Sequence, residues 1–134
     1  MKSIKFILLG AILLFLDACS DDDSKLSENS LYQTQWKGII QFKEDSMNKE
    51  CNITISFETL TQGRYVSDNL DENSGYSKQT TIEYKIKDKI ISIYGGVHNI
   101  LLGDWWIEKS SKEKLILKRE PNTEYEAILT LNFK

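Results

Sequence analysis

The sequence predicts an all-β fold: an antiparallel up-and-down meander of about eight strands, closed into a small barrel or packed as a sandwich. Three features of the 134-residue chain carry this prediction. After residue 31, short runs alternate apolar and polar side chains, as strands with one buried face do. Turn-forming residues separate these runs at near-regular intervals. No later stretch keeps a helical apolar period long enough to predict a helix.

The first runs show the alternation most clearly. "QWKGIIQF" (35–42) has inward positions at Trp36, Gly38, Ile40 and Phe42. "CNITISF" (51–57) repeats the pattern with Cys51, Ile53, Ile55 and Phe57. A short run around Tyr65 and a loop rich in Gly, Asn and Asp follow. Cys51 is therefore predicted to be a small buried side chain and not a nucleophile.

The second half of the chain continues the meander. "QTTIEYKIK" (79–87) places Tyr84 inward, and Asp88-Lys89 predicts a tight hairpin to "IISIYG" (90–95). The remaining runs are "LLGDWWIEK" (101–109), "KLILKR" (114–119) and "YEAILTLNF" (125–133). Closing the meander pairs its two edge strands, which would otherwise invite aggregation, so a barrel is favoured.

The N-terminal segment has the pattern of an export signal. Lys2 and Lys5 precede an uncharged apolar run from Phe6 to Leu16. This run has the length of a secretory signal peptide and is shorter than the roughly twenty residues that a membrane-spanning helix needs. We therefore predict that residues 1–18 are a signal peptide.

Two short motifs follow the apolar run. Leu16-Asp17-Ala18-Cys19 resembles the lipobox of bacterial lipoproteins, in which the peptide is cut before a cysteine that becomes lipidated. Asp21, Asp22 and Asp23 look like the acidic export signal of surface lipoproteins in the Bacteroides group. These resemblances imply a lipid anchor on Cys19 and display on the outer membrane. Residues 20–31 are polar and lack hydrophobic periodicity, so we predict a flexible acidic tether over residues 19–31. Several buried acyl chains anchor a protein stably.

Two further patches resemble lipocalins. Trp36-Lys37-Gly38 is similar to the first strand of that family, and "GDWWIEKSSKEKLILKR" (103–119) is similar to a hairpin of lipocalin-like lipoproteins in the Bacteroides group. The resemblance implies that residues 32–134 form a lipocalin-like barrel. It does not imply a particular ligand, because such folds carry many functions.

The composition of the chain excludes several classes of binding partner. The net charge is −3 and no basic cluster is present outside the signal segment, which argues against nucleic acid. With Cys19 lipidated, Cys51 has no intramolecular disulfide partner. His98 is the single histidine, and no catalytic, metal-binding or phosphate-binding motif is found, so we expect neither metal nor cofactor. We expect a monomer whose partners are the membrane and an unidentified small molecule or envelope protein.

Aromatic side chains provide the argument for binding. The candidate ligand contacts are Trp36, Tyr65, Tyr84, Asp104, Trp105 and Trp106. An eight-stranded barrel either holds a small ligand or is filled by side chains, and the size of this domain favours filling. Trp105 and Trp106 are adjacent in a strand and cannot both point inward, so one of them must be exposed or lie under a loop. Asp104 shares the face of Trp106 and lies at the barrel mouth if that face points inward.

Three hypotheses of function follow. The favoured one is a non-enzymatic, surface-anchored binding module for a small apolar or glycan-derived ligand or an envelope partner. The second is an accessory or inhibitory protein that docks a partner through loops and an exposed Trp, with a solid barrel core. The weakest is a small hydrolase that uses Asp104 and a second carboxylate. Separately, Asp45-Ser46-Met47 fits an O-glycosylation pattern of exported proteins in the Bacteroides group, with Ser46 as the acceptor.

Overall fold

The protein is described by a computed structural model that covers residues 26–134. Within this range the chain forms one short helix, α1 (Glu28–Leu31), and eight strands. The strands are β1 (Thr34–Glu44), β2 (Met47–Phe57), β3 (Gln62–Val66), β4 (Gln79–Lys87), β5 (Ile90–Tyr94), β6 (Gly103–Ser110), β7 (Lys114–Arg119) and β8 (Ala127–Phe133).

Every strand pairs antiparallel with its neighbour in the sequence, and β1 also pairs with β8. The closing pair runs from Trp36 opposite Phe133 to Gln41 opposite Ile128. The sheet is therefore a closed up-and-down barrel, and the predicted all-β meander is confirmed. Closure pairs both edges of every strand in residues 26–134, so these strands leave no edge for another chain to extend.

Gly38 allows the two closing strands to approach. A Cβ placed on Gly38 would lie 1.8 Å from the carbonyl oxygen of Thr130 in β8. No real Cβ atom tolerates such a distance from backbone, so any side chain here would force the strands apart. A glycine inside a strand often marks such a close approach of a second backbone.

Short turns fix the register of two hairpins. Asp45 and Ser46 connect β1 to β2 with positive φ angles of 53° and 66°, which suits a type I′ turn. Asp88 and Lys89 connect β4 to β5, with Asp88 at φ 57°, and this predicted hairpin is confirmed. Ser46, the predicted glycosylation site, is exposed at the tip of its hairpin.

The barrel has two distinct ends. We call one end the base; it carries α1, the 58–61 loop, the hairpin turns at 88–89 and 111–113, and the last residue of the chain. The other end is the rim, formed by the turn at 45–46 and by three longer loops, 67–78, 95–102 and 120–126. The chain enters the described domain at the base, where Leu26 lies in a small cleft with Ser111 and Lys112.

Helix α1 caps the base. Ser27 is its N-cap, and the side chains of Ser27 and Ser30 each accept a hydrogen bond from the other's backbone N–H. Leu31 is fully buried, and the Glu28 carboxylate accepts a hydrogen bond of 2.8 Å from the backbone N–H of Ile86 in β4. These contacts attach the segment to the barrel.

The predicted boundary between tether and barrel therefore needs a correction. The sequence analysis assigned residues 19–31 to a flexible tether, but the structure packs Leu26 and Leu31 into the core. The ordered domain begins no later than Leu26, because two apolar side chains anchor a segment too short to show helical periodicity. The rest of the predicted tether, the signal peptide, Cys19 and the three aspartates lie outside the described residues.

We predict that Leu31→Ala lowers the free energy of unfolding by about 3 kcal/mol, because it removes a fully buried leucine from the base. Leu60→Ala is the matched control, since Leu60 is exposed on a loop at the same end. Urea denaturation followed by circular dichroism measures both. Equal stability of the two variants would show that the cap contributes nothing to the barrel.

Candidate functional site

Side chains occupy the barrel interior. Trp36, Tyr65, Tyr84 and Trp105, which the sequence analysis proposed as ligand contacts, are at most 3% exposed. They belong to one core to which all eight strands contribute side chains. The structure thus has the filled interior that the size of the domain favoured.

The polar atoms of these four aromatic residues are bonded within the protein. The Tyr65 hydroxyl donates to the Ser77 carbonyl at 2.7 Å, and the Tyr84 hydroxyl donates to the Thr59 carbonyl at 2.6 Å. The Trp36 indole donates to the Thr34 hydroxyl at 2.9 Å. The Trp105 indole donates to the carbonyl of Leu101 at 2.7 Å. The bonds of Tyr65, Tyr84 and Trp105 therefore fasten loops to the barrel, and the bond of Trp36 lies within β1.

Tyr84 makes stability depend on pH at the alkaline end. Burial, together with the charge of Glu28, raises its pKa from 10.0 to about 12. The folded protein holds this proton more tightly than the unfolded chain does, so the stabilisation is complete below pH 10 and is lost as the pH rises from about 10 to about 12. We expect the urea midpoint to fall across this window and to fall less in Tyr84→Phe. Identical pH profiles of the two proteins would contradict this assignment.

The adjacent tryptophans point to opposite sides of β6. Trp105 is buried, whereas Trp106 is 48% exposed on the outer surface. The expectation that one of the two points outward is confirmed. Asp104 shares the outer face with Trp106, so it does not lie inside the barrel mouth. One of its carboxylate oxygens accepts a hydrogen bond of 2.8 Å from the Ser92 hydroxyl on β5.

Trp106 and Asp104 belong to a surface cleft of about 630 Å³ at the rim. We call it the rim cleft. Aromatic, aliphatic and charged side chains from β1, β6, β7 and the three longer rim loops line it. They are Lys43, Tyr76, Asn99, Ile100, Leu102, Gly103, Asp104, Trp106, Arg119, Glu120 and Tyr125. Its volume is that of a typical small-molecule site.

Arg119 is the charged side chain at the inner margin of the rim cleft. It is the last residue of β7 and follows Leu115 and Leu117 on the inward face of that strand. Its guanidinium carbon lies 4.6 Å from the centre of the Trp105 ring, a cation–π contact. Burial lowers the pKa of the Arg119 guanidinium, although arginine stays charged at all ordinary pH values.

The same guanidinium holds the loop that forms one wall of the cleft. Its Nη1 donates hydrogen bonds of 2.8 Å to the carbonyls of Ile100 and Leu102. The backbone N–H of Ile100 in turn donates to the Tyr65 hydroxyl at 3.3 Å. This wall is therefore attached to the core and presents a preformed surface.

Gly103 leaves space for Arg119. Its φ of +128° is strained for any residue with a side chain, and an added Cβ would lie 3.0 Å from the Cδ of Arg119. The sequence analysis did not select Arg119, Tyr76, Leu102 or Tyr125 as site residues. A signal for Arg119 is present in "KLILKR", where the alternation of the two leucines continues onto an arginine.

Two smaller clefts are less suited to a specific ligand. One, of about 390 Å³, lies over the outer surface of β1, β2 and β8 and is lined mainly by polar and charged side chains such as Lys49, Glu50 and Glu124. The other, of about 180 Å³, lies at the base beside Leu26 and Phe133. The rim cleft alone among these three combines exposed aromatic faces with a guanidinium.

Other candidates from the sequence have the following places. Cys51 is buried in the core, as predicted, and burial raises the pKa of its thiol. His98 is exposed on a rim loop. Over residues 26–134 no group of three or more His, Cys, Asp and Glu side chains is placed to hold a metal ion. In the same range no helix has the length and apolar character required to cross a membrane.

Comparison of the chain with protein-family models, with curated proteins and with solved structures gave no match.

Proposed function

We propose that the protein is a non-enzymatic binding module, anchored to the outer membrane surface through lipid on Cys19, that binds a glycan-derived or other small ligand in the rim cleft. The observation that carries this proposal is the exposed Trp106 indole in a cleft of about 630 Å³ above a filled barrel. Space for a ligand lies outside the barrel, beside an aromatic face available for contact.

The lining of the rim cleft suits a ring with one apolar face and a polar edge. Trp106 is 48% exposed and Tyr125 is 62% exposed, so both offer flat apolar surface at little cost in side-chain entropy. Asp104 and Glu120 supply carboxylates in the same cleft. A sugar ring has C–H groups for the aromatic faces and hydroxyl groups for the polar side chains.

The position of Leu26, the first residue that the structure describes, supports surface display. Leu26 lies at the base, and the rim cleft lies at the opposite end of the strands. A lipid on Cys19 would therefore hold the base towards the membrane and leave the rim cleft facing outward. We expect Cys19→Ala to release the protein from the outer membrane; a variant that stayed bound would remove the anchor from the proposal.

Binding to an array of bacterial and host glycans tests the ligand proposal. We expect the wild-type domain to bind at least one glycan and Trp106→Ala to lose at least about tenfold in affinity, as for other central aromatic contacts. Leu60→Ala removes an equally exposed apolar side chain at the base and should bind normally.

Mass spectrometry of molecules that co-purify with the protein from its native envelope extends the search beyond the array. Equal binding by wild type and Trp106→Ala would contradict the proposed site. If no molecule co-purified with the protein and no glycan on the array were bound, the proposed class of ligand would be contradicted.

Partner docking is the second candidate function. Besides Trp106, the rim exposes Val97, Leu102 and Tyr125, whose exposed fractions lie between 54% and 63%. Such side chains serve as anchors in protein interfaces. A photo-crosslinking residue at position 102 distinguishes the candidates, because a protein adduct in the native envelope would favour docking.

A further inference from the structure

We propose that the ligand of the rim cleft is an acidic sugar, and that Arg119 binds its carboxylate through the edge formed by Nε and Nη2. The inference rests on the proposed function of the cleft and narrows its class of ligand. It follows from the hydrogen bonds of one side chain and from the charges around it.

Arg119 has unused donors in a defined geometry. A guanidinium carries five N–H groups in one plane. The two on Nη1 are occupied by the carbonyls of Ile100 and Leu102. Nε and Nη2 donate to no atom of residues 26–134. These two nitrogens form one side of the guanidinium, and two parallel N–H groups on one edge match the two oxygens of a carboxylate.

The positive charge of Arg119 also has no protein counter-ion in the described range. The ion pairs found there are Lys49–Glu44, Arg64–Glu58 and Lys118–Glu108. The Trp105 ring and the two carbonyl groups that accept hydrogen bonds from Arg119 offset part of the free-energy cost of desolvating the Arg119 guanidinium. A partly buried charge that lacks an anion is costly, and an anionic ligand removes that cost.

The remaining charges of the cleft favour a carboxylate over a phosphate. Lys43 adds a second positive charge, and Asp104 and Glu120 add two negative charges, so the lining is balanced overall. A carboxylate adds a single negative charge, whereas a phosphate group brings between one and two. Asp104 and Glu120 would repel the phosphate more strongly, and both are suited to accept hydrogen bonds from hydroxyl groups.

The side chains around Arg119 indicate what the rest of the ligand, next to its carboxylate, should be. Gly103 lies against the Arg119 side chain, and the Trp106 indole and Asp104 line the same cleft. A ligand that binds Arg119 through a carboxylate therefore places its adjoining ring along an aromatic face and beside an acceptor. A hydroxylated ring with a carboxylate substituent uses all three features.

Nuclear magnetic resonance of arginine side chains tests the proposal without a substitution. The arginines are Arg64 and Arg119, and each gives one Nε–H signal. Glucuronate, galacturonate and N-acetylneuraminate serve as acidic probes, with glucose, galactose and inorganic phosphate as controls. We expect at least one acid to shift the Arg119 signal saturably, and the neutral sugars to leave it in place at the same concentration. Arg64, whose Nε is bonded to Glu58 at 3.1 Å, is the internal control and should not move.

Arg119→Lys retains the charge but lacks the paired edge, so it should bind the responsive acid at least about tenfold more weakly. Arg64→Lys is the matched control and should bind like the wild type. Circular dichroism confirms that both variants are folded, and the wild-type titration stands whether or not Arg119→Lys folds.

An Arg119 signal that no acid moves, or that phosphate moves more strongly than every acid, would overturn the proposal. The indole signal of Trp106 separates this failure from that of the proposed function. If neutral sugars shift Trp106 and leave Arg119 in place, the rim cleft binds glycans but the acidic class is wrong. If no probe shifts either signal, the acidic-sugar proposal is wrong, and the proposed function then depends on the array.

Discussion

Gly38→Ala should destabilise the barrel by about 3 kcal/mol or prevent its closure. The added methyl group would lie 1.8 Å from the Thr130 carbonyl oxygen, in the seam where β1 meets β8. Backbone on both sides of the contact belongs to paired strands, so neither side can move without breaking ladder hydrogen bonds. Urea denaturation followed by circular dichroism measures the loss.

Gly75→Ala is the control for this prediction. The nearest atom to a Cβ at Gly75 is a carboxylate oxygen of Glu44 at 4.0 Å, which is an ordinary contact. We expect this variant to match the wild type within about 0.5 kcal/mol. If Gly38→Ala were as stable as Gly75→Ala, the close approach of β1 and β8 would be wrong, and with it the closed barrel.

Trp105→Ala should lower the free energy of unfolding by about 4 kcal/mol. The substitution removes a fully buried indole, its hydrogen bond to Leu101 and the surface on which the Arg119 guanidinium lies. Trp106→Ala should cost no more than about 1 kcal/mol, because nearly half of that side chain is exposed.

The same two variants should respond differently in the binding assay. Trp106→Ala removes a contact in the rim cleft and leaves the fold intact, whereas Trp105→Ala weakens the fold and the cleft wall together. Comparable losses of stability for the two variants would contradict the assignment of one indole to the core and the other to the cleft.

Much of the fold follows from local patterns in the sequence. The alternation in "CNITISF" places Cys51 and Ile53 inward, and the structure buries both. Asp88-Lys89 is a two-residue break between alternating runs, and it forms the expected hairpin. These features depend on neighbours in the chain, because the side chains of a strand alternate whatever its partner is.

Features that depend on distant segments were not predicted. Helix α1 is four residues long, too short for periodicity. It is held by the burial of Leu31 in the core and by the hydrogen bond from Ile86 in β4 to Glu28. The steric requirement at Gly38 comes from β8, the last strand. The sequence also gave no means of choosing which of Trp105 and Trp106 points outward.

The rim cleft, too, could be predicted only in part from the sequence. Trp106 and Asp104 were candidates because of their residue types and strand positions. Tyr76, Tyr125 and Arg119 join them only because two rim loops and the end of β7 meet at one end of the barrel. The single clue in the sequence was an arginine on the apolar face of β7, and its value depends on the neighbouring Trp105 ring.

The indole N–H signals of the three tryptophans give the most direct test of a binding site at the rim. Trp36 reports on the base, Trp105 on the interior and Trp106 on the rim cleft. The titrant is the glycan that binds best on the array. A filled barrel with a site at the rim predicts that the Trp106 signal shifts saturably and moves more than the signals of Trp105 and Trp36. Shifts of Trp36 and Trp105 with Trp106 unchanged would place the ligand inside the barrel and contradict the proposed site.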